Sequence, residues 1–131
     1  MTNERFYVKA FKIGGVWNWG AAAVFAFASQ PLFAFLDMAQ PSQPVFLQGF
    51  CLAVFLFGLG YYWVGTNLAE NRAIVVLGIM GKVGVFLLLL FHSLFGSVHP
   101  LLIAAGVVDL GFAAVFYRFL VASPVGHQVT T

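Results

Sequence analysis

The sequence predicts an all-α integral membrane protein, a single-domain four-helix up-down bundle, on three observations. Of its 131 residues, 62% are hydrophobic and only 8% are charged, and the mean hydropathy is +0.97. A soluble domain carries about 25% charged residues, so this chain lacks the polar surface to face water on all sides. Second, four apolar stretches at about 13–36, 45–65, 73–95 and 101–121 each reach the roughly 20 residues that a bilayer crossing requires. Third, the connections between them are short, which makes sequential helices antiparallel neighbours.

The elements follow in order. Segment 3–12 carries Arg5, Lys9 and Lys12, spaced to share one helical face, and reads as a lead-in whose cations meet anionic lipid head groups. The stretch 13–36 has a basic start and an Ala26-Phe27-Ala28 before Ser29, the small-x-small pattern of a cleaved signal peptide. Its apolar character continues through Leu32 to Leu36, so it reads as an uncleaved first span. Asp37 is its polar stop, and Pro41 and Pro44 stiffen the connection to the second span. Asn67, Glu70 and Arg72 occupy the next turn. Gly78, Gly81 and Gly84 in the third span, and Ala105, Gly106 and Ala113 in the fourth, mark expected helix contacts, since small residues let membrane helices approach closely. Pro100 opens the fourth span at a favoured position. The tail 123–131 reads as mobile.

Charge sets the orientation. Arg5, Lys9, Lys12, Arg72 and Arg118 all fall at one end of the expected bundle, and the two connections at the other end hold no Lys or Arg. The positive-inside rule then places both termini in the cytoplasm. Trp17, Trp19, Tyr61, Tyr62, Trp63 and Tyr117 read as an aromatic belt at the inner interface.

Lys82 lies near the middle of the third span and Asp109 near the middle of the fourth, roughly 14 and 18 Å from their inner ends at the helical rise. An ionisable group at that depth costs several kcal/mol unless it is paired or hydrated. Opposite signs at similar depth on neighbouring helices predict an intramembrane ion pair, either a structural fix for helix register or a ligand or proton site. Asn18, Asn67, Glu70, Arg72 and Arg118 extend it into an expected polar track from the cytoplasmic face to the centre.

Other chemistries find little footing. A net charge of +2 with no long basic patch excludes nucleic-acid tracking. Cys51 is the single cysteine, so no intrachain disulfide or thiolate cluster can form. His92 and His99 straddle a helix end, and no further ligand stands at metal-site spacing. No nucleophile with a base, phosphate loop or cofactor motif is present, and no internal repeat points to a transporter.

Gly60-Tyr61-Tyr62, Asn71-Arg72, Leu77-Gly78, Gly81-Lys82, Asp109-Leu110, Phe112-Ala113, Phe116 and Phe119-Leu120, with Trp17-Asn18-Trp19, resemble a pattern in small four-span bacterial membrane proteins of unassigned function. Where those proteins often carry Asp-Pro in the inner turn, this chain has Glu70-Asn71. The resemblance implies a four-helix inner-membrane protein and brings no reaction with it. The expected role is therefore a non-enzymatic accessory, assembly or self-oligomerising component, in contact with lipids and a membrane-protein partner or second copy. The alternative is binding or transport of a small amphipathic ligand or a proton at Lys82 and Asp109. An embedded enzyme would have only that same pair for acid-base work.

Overall fold

The computed structural model describes residues 2–96 and 98–123; the tail expected to be mobile lies, beyond Ser123, outside the described residues. Five helices occupy the described residues: α1 (Thr2–Phe27), α2 (Ser29–Phe35), α3 (Pro44–Thr66), α4 (Arg72–Phe95) and α5 (Leu102–Ala122). Three of them, α3, α4 and α5, are long and apolar enough to cross a membrane, the mark of a membrane protein.

The first expected span is not one continuous helix. Helix begins at Thr2, eleven residues before the apolar stretch, and a break at Ala28 divides that stretch between α1 and α2. Pro31 is the cause. Its ring collides with the carbonyl of Phe27 in a continuous helix, and it donates no hydrogen bond. A new first turn at Ser29 accommodates it, because the amides of a first turn have no helical partner in any case. The break is a kink, with Ala28 N donating to Val24 O and Leu32 N to Ala28 O across it. Helix α1 falls outside the three apolar helices because Glu4, Arg5, Lys9 and Lys12 occupy its first half.

α2 ends at Phe35, and Asp37, two residues on, adopts φ 53°. Met38 N reaches back to Phe33 O and Asp37 N to Ala34 O, the paired closure that usually selects glycine at the left-handed position. Pro44 sits in the first turn of α3, where its fixed φ suits a helix start. Pro100 precedes α5 in a tight turn, with Ile103 N donating to Pro100 O, so that helix starts at Leu102.

α1 packs along α3 and α4 along α5, and the two pairs meet over a shorter contact. Glycine sets the first of these contacts. A Cβ at Gly15 would stand 2.7 Å from the Gly58 carbonyl, and one at Gly65 would stand 2.8 Å from the Lys12 side chain. The small residues expected to mark the contact faces divide. Gly78 and Gly106 abut Tyr61 and Phe86, whereas Gly81 and Gly84 face open space.

The core sits at the end of the assembly that holds both helix termini Thr2 and Ala122. There Tyr7, Phe11, Tyr61, Val64, Val75, Phe116 and Phe119 are buried together. Phe11 stacks on Phe116 with ring centres 4.4 Å apart, and Tyr7 meets Phe119 edge-on at 5.3 Å. The segment carrying the first cations is thus the packed half of α1. At the opposite end Phe33 and Leu36 are buried, but most large apolar side chains turn outward, Phe27 being 89% exposed.

Candidate functional site

Lys82, Asp109 and Asn18 reach one point because each sits on its helix's inward stripe. In α4 the buried residues are Val75, Gly78 and Lys82, a spacing of three and four that keeps them on one face. In α5, Asp109 falls between Gly106 and Ala113, which are buried along with Phe116. In α1, Asn18 follows buried Phe11, Gly14 and Gly15 and precedes Ala22.

Lys82 Nζ donates to Asp109 Oδ1 at 2.7 Å and to Asn18 Oδ1 at 3.1 Å. The lysine side chain is 5% exposed and that of Asp109 18%. Asn18 is oriented by its own amide, which donates from Nδ2 to Val54 O at 3.2 Å. Its oxygen is therefore left for the ammonium. Trp17 Nε1 donates to Asp109 Oδ1 at 3.2 Å. Adjacent residues of α1 thus hold the two charged partners, Asn18 on α4 and Trp17 on α5. The ammonium also lies 5.2 Å from the ring centre of Tyr61 and 5.3 Å from that of Phe112, within range of a cation–π attraction that strengthens where water is excluded.

The pair marks one limit of a cavity of about 310 Å³ between α1 and α3 on one side and α4 and α5 on the other. Trp17, Asn18, Tyr61, Lys82 and Asp109 line it at this limit; Phe25, Leu47 and Leu102 line it at the far end of the helices. The rest of the wall is almost wholly apolar, and the volume lies at the lower bound for a small-molecule site.

The remaining polar residues singled out in the sequence do not join this site. The core of Tyr7, Phe11, Tyr61, Phe116 and Phe119 stands between, so among the described residues no polar track runs from the terminal end. Asn67 is exposed, and its Oδ1 accepts from Ala69 N at 3.2 Å. Arg72 donates to the Leu120 carbonyl at 3.0 Å and to that of Ser123, closing the C-terminus of α5, where a cation is favoured. Glu70 and Arg118 are exposed. His99 accepts from Leu101 N at 3.0 Å, and among the described residues no three His, Cys, Asp or Glu side chains converge as metal ligands.

Trp17, Tyr61 and Phe112 belong to the site and were not singled out for it. Trp17 reads as interface belt when the first span starts near residue 13. A helix starting at Thr2 carries it roughly 22 Å along the axis. Phe112 stands three residues after Asp109, a spacing that could have placed it on the same face. Trp63 and Tyr117 do face outward, at 56% and 61% exposure. No protein-family model, curated protein or solved structure matches this chain.

Proposed function

We propose that this chain is a four-span protein of the bacterial inner membrane, with both termini cytoplasmic, whose cavity binds a small amphipathic molecule. One observation carries the binding reading: an apolar cavity of about 310 Å³ that ends on a hydrogen-bonded group of Lys82, Asp109, Asn18 and Trp17. An ion pair that served register alone would gain from tight apolar packing around it. Here open space lies against it instead. The orientation rests on the five Lys and Arg residues gathered at the terminal end and on their absence from the two far connections. The likeness to small four-span bacterial proteins supports the same placement.

A second reading is association with a membrane partner or a second copy, as an accessory or assembly component. It draws support from Gly84 and Gly111, where an added Cβ would meet nothing within 4 Å; such positions admit a second helix at close range.

Native mass spectrometry of the gently solubilised protein separates the two. A discrete non-lipid mass that is retained by the wild type and lost in Lys82→Met is the outcome expected of a binding protein. A defined oligomer carrying only bulk lipid, in the wild type and variant alike, would sink the binding reading and favour association.

A further inference from the structure

We propose that the cavity takes a neutral alcohol, an apolar body of about ten non-hydrogen atoms whose terminal hydroxyl donates a hydrogen bond to Asp109 Oδ2. This rests on the cavity being a binding site, and it names the ligand class.

The polar end of the cavity has one carboxylate oxygen open, and the hydroxyl of Tyr61, whose ring lines this end, makes no hydrogen bond among the described residues. Asp109 Oδ1 accepts both hydrogen bonds that the carboxylate makes among the described residues, from Lys82 and Trp17. Oδ2 accepts none among them, and it is not one of the buried polar atoms left without a partner; it is reachable, on a side chain that lines the cavity. An ionised carboxylate only accepts hydrogen bonds, and it has room for about four. On the donor side, the single N–H of Trp17 is used. Lys82 places two of its three N–H groups on Asp109 and Asn18, with aromatic rings of Tyr61 and Phe112 against it. The open carboxylate oxygen takes only a hydrogen-bond donor, and a hydroxyl supplies one while its own oxygen can accept from the Tyr61 hydroxyl.

Charge decides which donor. Lys82 and Asp109 neutralise each other, so a neutral head leaves the site balanced. An ammonium head would add an uncompensated positive charge in a largely apolar cavity, and a carboxylate head would face Asp109 at short range; both are penalised by desolvation. Size decides the body. Some 310 Å³, at about 30 Å³ for a group the size of water, holds roughly ten such groups.

The experiment is a calorimetric titration of the protein in lipid nanodiscs, with empty nanodiscs as the blank for bulk partitioning. The compounds are 1-decanol, decyl methyl ether, decylamine and decanoate. Decanol is expected to bind saturably and at least about tenfold more tightly than the ether, which accepts but cannot donate. Gly81→Leu is expected to abolish that binding, because Gly81 lines the cavity and an added Cβ there meets nothing within 4 Å. The joint Lys82→Met, Asp109→Leu variant keeps the apolar walls and removes the acceptor, so alcohol and ether should come to within about threefold of each other. Ether, amine or decanoate binding as tightly as decanol would overturn the hydroxyl assignment and leave the cavity a binding site. Absence of saturable binding by all four, or binding unmoved by Gly81→Leu, would overturn both.

Discussion

Lys82 has no single partner: Asp109 balances its charge, Asn18 accepts a further hydrogen bond, and two rings cover it. Removing one charge leaves the other without its counterpart in a water-poor place, at a cost of about 3–5 kcal/mol. Lys82→Met and Asp109→Leu should therefore each lower the thermal midpoint in detergent sharply. The joint change should recover much of that loss, with a coupling of about 1–3 kcal/mol between the sites. A double variant that unfolds as readily as the worse single one would show that the two residues do not act as a unit. The charged members of this group are legible in the sequence because an ionisable side chain within an apolar run has few tolerable environments. Trp17, Tyr61 and Phe112 are not, because an aromatic residue in such a run is equally at home against lipid, at the interface or around a cation. Only the neighbouring helices decide which.

At the scale of the elements, helices α3, α4 and α5 lie within one residue of the stretches read from hydropathy, since turn residues and prolines bound those stretches on both sides. The start of α1 is not legible in that way. Its first half is charged on one face, yet Tyr7 and Phe11 on the other face build the core, and hydropathy averages the two faces together. Nor does composition say which small residues make contacts. A Cβ at Gly58 would stand 2.7 Å from the Trp19 ring and 3.0 Å from the Gly15 carbonyl, whereas one at Gly84 meets nothing within 4 Å. Gly58→Leu is thus expected to push α1 off α3 and destabilise the protein by about 1–3 kcal/mol. Gly84→Ala should be neutral or stabilise it by up to about 1 kcal/mol, because alanine holds a helix better than glycine. Thermal unfolding of the two variants side by side checks the assignment. Equal effects would mean that the α1–α3 contact does not depend on the bare glycine surface.

For the whole molecule, the crossing in question is α1. Its apolar half, from Ile13 to Phe27, is about fifteen residues, or roughly 22 Å of helix. The hydrocarbon core of a bilayer is about 30 Å thick. Helix α1 spans only if Lys9 and Lys12 extend their stems to the head groups and α2 supplies the remaining depth beyond the kink. The packing favours this, because α1 runs along α3 for much of its length and Gly15, Gly58 and Gly65 fix the two at close range. Cysteine labelling in intact cells tests it directly. With the buried Cys51 replaced by serine, single cysteines go at the exposed positions Asn3, Ser42 and Asn67. An impermeant maleimide should modify only Ser42→Cys from outside, and Asn3→Cys and Asn67→Cys only after the membrane is opened. Modification of Asn3→Cys together with Ser42→Cys would put both on the outer side and reduce the protein to three crossings. Modification of Asn67→Cys with Ser42→Cys protected would reverse the sidedness drawn from the clustered Lys and Arg residues.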